Sequence, residues 1–445
     1  MKMNLPKLFG TDGVRGIANT ELTCELAYKI GFAGAKKLAN LGEYIIIGKD
    51  NRPSSDMLEA AVTSGICSAG VNVIKLGIIP SSALPFFIKK VSASGGVMIS
   101  ASHNPSEYNG IKFFSSDGFK LDEGTEIKIE KEMGNINRVS LRPVGKNIGR
   151  ISDRRNSINI YIDFLMQIYP LNLKGFKIAI DCANGVTGFI APEVYEKLGA
   201  TLSVHNNEES GDNINYMCGS THPENISDIV KKNRSDIGFA FDGDGDRMIV
   251  SDEKGNILDG EFIIAIIANF LKSEKRLVKD ILVTTKMANL GFIKAMNNLG
   301  IEVLTTDVGD RFVLQEMLKT GATIGGEQSG HIILIDKYTT GDGILTSLAL
   351  LNVLMNRNKP LSELSKIMKK FPQVLINVKV KDKLKLSNAK HFWKKVKEFE
   401  KELNSDGRIY IRPSGTESVI RIMVESTSFK LADSIAKELA SLIEF

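Results

Sequence analysis

The sequence lacks the features that mark secreted, membrane-spanning or nucleic-acid-binding proteins. Its 445 residues include four cysteines, none with the CxxC spacing typical of zinc and redox sites. The longest apolar run, residues 262–271, is too short to span a bilayer, which takes about 20 residues, and the N-terminus has no apolar segment typical of a secretory signal. These three features lead us to expect a cytoplasmic protein without a membrane partner. The net charge of only +5 gives no case for nucleic-acid binding, although a local basic pocket for an anionic substrate is possible.

The length and the apolar patterning predict several α/β domains. A chain this long exceeds a single core, since domains usually take about 100–200 residues. Short apolar segments alternate with helical patterns, which predicts mostly parallel sheets flanked by helices. A helix is predicted at 57–70, and strands are predicted at 44–48, 71–77, 96–100, 177–181, 237–242, 280–285 and 322–327.

Three segments indicate domain boundaries. They are the basic, polar stretch 136–157, the end of a strand near 248–256, and the charged stretch 361–373. The last part of the chain has a different order of elements, strand–helix–strand–strand–helix, which predicts a small α+β domain. The predicted domains are 1–155, 156–256, 257–369 and 370–445.

The motif FDGDGDRMIV predicts a metal site. Asp242, Asp244 and Asp246 alternate with glycines, and three carboxylates this close repel one another unless a cation lies between them. Oxygen ligands suit Mg²⁺, and glycine permits the tight loop. An EF-hand would use Glu253 as its last ligand, but it requires glycine where Arg247 stands and helices where the flanks look like strands. A solvated acidic turn remains an alternative.

The motif MISASHNPSEYNG contains adjacent serine and histidine residues. Neighbouring side chains usually point in different directions, so His103 is a poor base for Ser102, and no G-x-S-x-G motif surrounds the serine. A serine beside a metal site can instead carry a phosphoryl group. The residue types leave Ser100 and Ser102 as candidates, and a simple polar turn after a strand as the alternative.

The motif GGEQSGH predicts a sugar-binding loop. Glu327 and Ser329 supply a carboxylate and a hydroxyl that can bind sugar hydroxyls. His331 ends the motif, and a single histidine in such a position is often structural rather than functional.

The motif RIYIRPSGTESVIRIM predicts a phosphate-binding loop between two strands. Arginine, hydroxyl groups and the backbone N–H groups near a glycine form a typical phosphate site. A simple turn between strands is the alternative. The candidate ligands are Arg412, Ser414, Gly415, Thr416 and Arg421.

Together, these four loops resemble the α-D-phosphohexomutase superfamily along the whole chain. Further matching motifs lie at 9–16, 48–55, 109–114, 181–185, 308–311 and 339–343. Within the superfamily, FGTDGVRG, GEQ and NINYMCGSTHPE are most similar to the bacterial phosphoglucosamine mutases, and phosphomannomutases and phosphoglucomutases are the alternative. Two positions depart from the usual pattern: Ser418 replaces a proline, and Gly245 stands where many relatives have alanine.

The resemblance implies a fold, a reaction and a set of cofactors. The fold is four domains around a central cleft, three related α/β domains with mixed sheets plus a smaller C-terminal α+β domain. The reaction interconverts glucosamine 6-phosphate and glucosamine 1-phosphate through a phosphoserine and a 1,6-bisphosphate, with the bisphosphate as activator. One Mg²⁺ is expected, and the protein is expected to be a monomer or homodimer. The metal ligands implied are Ser102, Asp242, Asp244 and Asp246.

The resemblance also implies roles for other residues. Ser102, Lys112, His331 and Arg15 are the catalytic residues, with Lys112 and His331 as candidates for proton transfer. A lysine needs a lowered pKa for that role. The substrate-binding residues implied are Arg247, Glu327, Ser329, Arg412, Ser414, Gly415, Thr416 and Arg421. Two alternative functions belong to other classes: a phosphosugar-binding protein without catalysis, and a metal-dependent phosphatase.

Overall fold

The computed structural model describes residues 8–10, 12–136, 142–413 and 418–443. The chain forms two compact units. The first comprises the chain up to Lys286 together with Leu304–Ser365, and the second comprises Met287–Val303 and the chain from Lys366 onward. Within the described ranges, no helix is both long and apolar enough to cross a membrane.

The first sheet has six strands in the order β1-β5-β4-β2-β3-β6. Strands β2, β3, β4 and β6 run parallel, whereas β5 and β1 are antiparallel to their neighbours. The central strands are continuous buried apolar runs, as expected for strands covered on both faces. The elements are β1 (Val14–Ile17), α1 (Cys24–Leu38), β2 (Tyr44–Lys49), α2 (Pro53–Ser68), β3 (Asn72–Ile78), α3 (Ala83–Lys90), β4 (Gly95–Ile99), β5 (Tyr108–Ser115), α4 (Glu123–Gly134) and β6 (Ile151–Asp153).

The second sheet has five strands in the order β11-β10-β9-β7-β8. Strands β7, β8 and β9 are parallel, and β10 and β11 are added antiparallel. Helix α7 ends at a residue in the left-handed conformation, Arg234, which stops the helix before β9. The elements are α5 (Ile158–Ile168), β7 (Lys177–Asp181), α6 (Ala191–Lys197), β8 (Thr201–His205), α7 (Glu224–Asn233), β9 (Ile237–Phe241), β10 (Met248–Asp252) and β11 (Ile257–Leu258).

The third sheet has four strands in the order β13-β12-β14-β15. The long helix α11 is capped by Asp342, whose carboxylate accepts a hydrogen bond from the Leu345 N–H. The elements are α8 (Gly260–Ser273), β12 (Ile281–Thr285), α9 (Leu290–Asn298), β13 (Glu302–Thr306), α10 (Asp310–Thr320), β14 (Ile324–Gly326), β15 (Ile332–Leu334), α11 (Gly343–Arg357) and α12 (Leu361–Leu364).

The C-terminal sheet has three antiparallel strands in the order β16-β18-β17. Two amphipathic helices pack their apolar faces against it, with Phe392, Val396 and Leu439 among the buried residues. The elements are β16 (Gln373–Lys379), α13 (Lys390–Leu403), β17 (Gly407–Pro413), β18 (Val419–Ser426) and α14 (Phe429–Ser441).

The fold confirms most of the expectations from sequence and corrects one. All seven predicted strands, the helix at 57–70 and the C-terminal order of elements are present, and the architecture is three α/β sheets plus a smaller α+β part. The sheets are mixed, as the family resemblance implies, and not mostly parallel, as the alternation of segments alone predicts. The reason is that each motif loop joins two adjacent strands, and a short connection between neighbours makes them antiparallel. Part of the segment 136–157 is also a strand, β6, that extends the first sheet.

Three of these connections build the site. The serine loop, residues 100–107, joins β4 to β5, and the aspartate loop, residues 242–247, joins β9 to β10. The sugar loop, residues 327–331, joins β14 to β15 in the same way.

Candidate active site

The serine loop and the aspartate loop meet in the first unit. The Ser102 hydroxyl donates a hydrogen bond to Asp242 Oδ2 at 2.6 Å, and its Oγ lies 3.4 Å from His103 Nδ1. Ser102 is buried and has a positive φ of 52°, an uncommon backbone conformation that is often found at functional sites. The close partner of the serine is therefore a carboxylate of the aspartate loop, and not the adjacent histidine.

The three aspartates form a buried cluster that fits a divalent cation. One oxygen from each carboxylate lies within 4.8 Å of the others, and the residues are at most 6% exposed. Among the described residues, Asp244 Oδ1 and Asp246 Oδ1 are buried without a hydrogen-bond partner. Buried carboxylate oxygens of this kind are the ligands that Mg²⁺ requires.

The geometry excludes both alternatives for the aspartate motif, an EF-hand and a solvated acidic turn. Strands flank the loop where an EF-hand needs helices, and the Glu253 carboxylate accepts hydrogen bonds from the N–H and hydroxyl of Ser362. Burial of all three carboxylates excludes a solvated acidic turn.

Neighbouring donors orient the Asp244 carboxylate. Its Oδ2 accepts hydrogen bonds from Ser81 Oγ at 2.5 Å, Lys112 Nζ at 3.0 Å and Ser100 Oγ at 3.2 Å. These donors leave Oδ1 directed toward the cluster. Ser100, the other candidate serine, thus supports Asp244, and its Oγ also accepts the Ser102 N–H at 2.9 Å.

The environment pushes the pKa values of two aspartates in opposite directions. Burial, and then the charges of Asp246 and Asp244, raise the pKa of Asp242 well above its usual value. Burial also acts to raise the pKa of Asp244, but the Lys112 charge and the Ser81 hydrogen bond outweigh it and lower that pKa. A bound divalent cation would favour the ionised form of both carboxylates.

Arg52 holds the backbone of the serine loop. Its Nη2 donates to the carbonyl oxygens of Ser102 and Asn104, both at 2.8 Å, and its Nη1 donates to Pro105 O. The guanidinium is fully buried and pairs with the equally buried Asp50 carboxylate, with Nε 2.9 Å from Oδ2. One side chain therefore binds three backbone carbonyl groups of the loop that carries Ser102.

Asn215 joins the serine loop to the aspartate loop. Its side-chain amide donates to Ser102 O at 2.9 Å and to Asn104 O at 3.0 Å, while its Oδ1 accepts the Gly243 N–H at 2.9 Å. A Cβ on Gly243 would lie 2.7 Å from the Asn215 amide nitrogen and 2.8 Å from Ser102 O. Glycine at 243 is therefore what lets the two loops approach this closely.

A polar cavity of about 470 Å³ opens beside these loops. Arg15 lines it and donates to Asn104 Oδ1 at 2.8 Å, and it also pairs with Asp12. Arg247 lines it too, and its backbone N–H donates to Asp242 Oδ1 at 3.1 Å. The volume is typical of small-molecule sites, and the two guanidinium groups suit an anionic ligand.

The sugar loop contributes two side chains to the cavity wall. Glu327 lines the cavity, and its Oε1 accepts the Gly309 N–H at 3.1 Å. His331 is buried with its Nδ1 3.4 Å from Asp246 Oδ2; burial lowers its pKa, but the charge of Asp246 outweighs this and raises it. Ser329 is half-buried and is not among the described residues that line the cavity, so its role in binding stays a prediction.

Lys112 lies in a chain of buried charges. Its Nζ is 3.0 Å from Asp244 Oδ2 and 3.2 Å from Asp12 Oδ2. Burial alone would lower the pKa of Lys112, but the charges of these two aspartates raise it. The lowered pKa expected for a proton-transfer lysine is therefore not produced by the surrounding protein groups.

The predicted phosphate loop lies in the second unit and is only partly described. Arg412 on β17 and Arg421 on β18 are directly opposite each other in the antiparallel pair. Ser414, Gly415 and Thr416 lie outside the described residues. Ser418, the position that departs from the family pattern, accepts the Val380 N–H with its carbonyl oxygen at 2.9 Å.

Family models match almost the whole chain. The matches are to phosphoglucomutase/phosphomannomutase alpha/beta/alpha domain I at residues 6–139, domain II at 159–255, domain III at 259–371 and the C-terminal domain at 375–442. The chain belongs to the phosphoglucomutase/phosphomannomutase family. Curated relatives named phosphoglucosamine mutase are 48% identical in Carboxydothermus hydrogenoformans and 46% identical in Clostridioides difficile, and each alignment covers 98% of this chain and 99% of the relative.

Solved structures of the family have the same fold. A phosphoglucomutase/phosphomannomutase family protein from Burkholderia thailandensis aligns with a TM-score of 0.83 at 22% identity, over 98% of this chain and 97% of that one. An N-acetylphosphoglucosamine mutase from Aspergillus fumigatus, in complex with GlcNAc-6P and magnesium, aligns with a TM-score of 0.69 at 18% identity, over 98% and 95% of the chains.

Sequence reasoning missed several residues that build this family site. Arg52, Asn215, Asp12 and Asp310 all belong to motifs that mark the family, but a motif does not tell which atoms its side chains contact. The position of each within GKDNRPSS, NINYMCGSTHPE, FGTDGVRG and VGDR was the available signal. Lys120 lies in no such motif, and only the structure identifies it.

Proposed function

We propose that this protein interconverts glucosamine 6-phosphate and glucosamine 1-phosphate by way of a phosphorylated Ser102. The main support is the Ser102 hydroxyl, 2.6 Å from a carboxylate in a buried cluster of three aspartates. The relatives that are 46–48% identical over nearly their full length are named for this sugar. The cavity beside the serine is of suitable size and charge for a phosphosugar.

Mg²⁺ would be held by Asp242, Asp244, Asp246 and an oxygen on Ser102, and it would stabilise negative charge on the phosphoryl oxygens. Asp244 Oδ1 and Asp246 Oδ1, which accept no hydrogen bond from a described residue, support this ligand set. The related Aspergillus fumigatus structure is described with magnesium.

Ser102 transfers the phosphoryl group in two steps. First, phosphorylated Ser102 gives its phosphoryl group to the free hydroxyl of glucosamine 6-phosphate, which forms the 1,6-bisphosphate and leaves a free serine. The bisphosphate then turns over, and Ser102 takes the phosphoryl group from the other end. Arg15 and Arg247, which line the cavity, neutralise the transferring group.

Other residues bind the substrate and move protons in this proposal. His331 and Lys112 are the candidates to exchange a proton with the reacting hydroxyl. Glu327 and Ser329 bind ring hydroxyls, since a carboxylate and a hydroxyl are suitable partners. The phosphate that does not react is held by Arg412, Ser414, Gly415, Thr416 and Arg421.

The wider setting is also part of the proposal. Glucosamine 1,6-bisphosphate acts as the activator that phosphorylates Ser102, and the protein works in the cytoplasm as a monomer or homodimer. All four cysteines are free thiols, which fits a reducing compartment. The four domains are bounded near residues 155, 256 and 369.

The test follows the phosphorus nuclei of the substrate. Purified protein is incubated with Mg²⁺, glucosamine 1,6-bisphosphate and glucosamine 6-phosphate, with Ser102→Ala in parallel, and the products are identified by phosphorus NMR. Formation of glucosamine 1-phosphate by the wild type and almost none by the variant supports the proposal. Release of inorganic phosphate instead would indicate a phosphatase. Isomerisation of only glucose or mannose phosphates would preserve the chemistry and refute the choice of sugar.

A further inference from the structure

One lysine that the proposed reaction does not use joins two domains beside the cavity. Lys120 Nζ lies 2.6 Å from Asp12 Oδ1 and 2.5 Å from Asp310 Oδ2. Asp12 lies in family domain I and Asp310 in family domain III, and all three residues line the cavity. A single ammonium group therefore holds two carboxylates from different domains at the cavity wall.

The loop that carries Asp310 also supports the sugar loop. Asp310 Oδ2 is 3.6 Å from His331 Nε2, a buried nitrogen without a hydrogen-bond partner among the described residues. The preceding residue, Gly309, donates its N–H to Glu327. Residues 308–311 thus contact both cavity-lining side chains of the sugar loop.

These contacts belong to a chain of acidic and basic side chains that starts and ends at the aspartate loop. In order of contact, its members are Asp244, Lys112, Asp12, Lys120, Asp310, His331 and Asp246. Lys120 is the central cation. Without it, two partly buried carboxylates would face each other and repel.

We propose that Lys120 is a positioning residue, which holds Asp310 so that His331 stands correctly against a substrate at Ser102. This inference rests on the proposed function. Lys120 acts through Asp310 and transfers neither a proton nor the phosphoryl group. A shift of about 1 Å in a group that positions a substrate can slow a reaction by about 10²-fold.

A neighbouring ion pair provides a matched control. The Arg311 guanidinium binds both Glu126 oxygens, with Nη1–Oε2 at 3.0 Å and Nη2–Oε1 at 2.6 Å. This pair joins the same two family domains, and it is more buried than the Lys120 bridge. Among the described residues, Glu126 pairs with Arg311, so Glu126→Gln weakens the domain contact without changing the charge beside His331.

The experiment compares four full-length variants in the mutase assay with saturating bisphosphate and Mg²⁺. Lys120→Met is expected to lower kcat about 30- to 100-fold while KM changes less than about threefold, because the groups that bind the phosphates are unchanged. Lys120→Arg keeps the charge and should stay within about fivefold of wild type. Lys120→Met/Asp310→Asn should be at least about fivefold faster than Lys120→Met, because the unpaired carboxylate is gone. Glu126→Gln should stay within about threefold.

Each other result counts against the inference. Equal losses for Lys120→Met and Glu126→Gln, or a double variant no faster than Lys120→Met, would show that Lys120 only joins the domains. Thermal unfolding and the phosphate content of Ser102 identify a variant that fails to fold. In that case, the single variants Lys120→Arg and Asp310→Asn are compared instead. If the wild type does not isomerise glucosamine phosphates, the proposed function fails. If the wild type isomerises another hexose phosphate, the same comparison of variants on that substrate still tests the role of Lys120. If the wild type turns over no hexose phosphate, both the proposed function and the role of Lys120 are overturned.

Discussion

Replacing Asn215 with alanine is expected to separate the serine loop from the aspartate loop while each loop keeps its own structure. The carbonyl oxygens of Ser102 and Asn104 would still accept hydrogen bonds from Arg52. The Gly243 N–H, by contrast, would lose the acceptor that the Asn215 side chain provides. What the substitution removes is one of the direct links between the serine loop and the aspartate loop, and the hydrogen bonds from Ser102 to Asp242 and from Ser100 to Asp244 remain.

The contacts set the size of the effect. A buried N–H left without an acceptor costs about 1–3 kcal/mol, and each lost hydrogen bond to a carbonyl that keeps another donor costs about 0.5–1.5 kcal/mol. If about 2–3 kcal/mol of this appears in the transition state, kcat/KM falls about 30- to 150-fold. Asn215→Asp should be slower still, since a carboxylate oxygen would replace the amide and face two carbonyl oxygens at about 3 Å.

The assay is the initial rate of glucosamine 1-phosphate formation, with Mg²⁺ affinity measured by calorimetry on the same samples. Asn213→Ala is the matched control: it lies two residues away, and its amide donates to the exposed Glu208 carboxylate. We expect this control to stay within about twofold of wild type, because the hydrogen bond that it removes is to an exposed carboxylate. If Asn215→Asp is as active as Asn215→Ala, or both match the control, the reasoning about the link is wrong.

Three further outcomes are expected. Asp246→Asn should weaken Mg²⁺ binding about 10- to 100-fold in calorimetry, because a charged ligand is lost from the cluster. Gly341→Ala should lower kcat about tenfold or more without loss of folding, since its Cβ would lie 2.5–2.8 Å from the ring of His331. Burial raises the pKa of Cys182 and raises that of Cys218 to about 12, so mass spectrometry should show both resisting iodoacetamide at neutral pH and reacting in denaturant.

The fold was predictable from sequence where the signal is local. Buried strands such as Ile237–Phe241 are continuous apolar runs, and their positions follow from the local sequence alone. The direction of pairing did not follow, because whether β9 and β10 are neighbours depends on the whole sheet. The segment near Ile151 looked like a linker because it is polar and exposed, yet its backbone still pairs with β3.

The candidate site was predictable to the level of its motifs. The residue types identified the three aspartates, whereas the choice of Ser102 over Ser100 came from the family resemblance, and the structure brings Ser102 and the aspartates together. The residues that orient them were not identified. Ser81 follows β3 in an ordinary turn, and its hydrogen bond to Asp244 joins positions 163 residues apart. Contacts of this kind depend on how the sheets pack against each other, which residue spacing does not encode.

The opposite pKa shifts in the aspartate loop indicate how serine, metal and lysines depend on one another. Asp244 keeps its charge because Lys112 pairs with it, whereas Asp242, bonded to the Ser102 hydroxyl, is destabilised as an anion by burial and by the other two carboxylates. A phosphoryl group on Ser102 adds about −1.5 to −2 of charge at this same place. Nearby lysine charge is already paired with Asp12, Asp244 and Asp310, so it cannot compensate that addition. Arg15 and Arg247 at the cavity would offset part of this charge, and a divalent cation at the aspartate cluster would offset more of it, so the phosphorylated form should need the metal more than the free serine does.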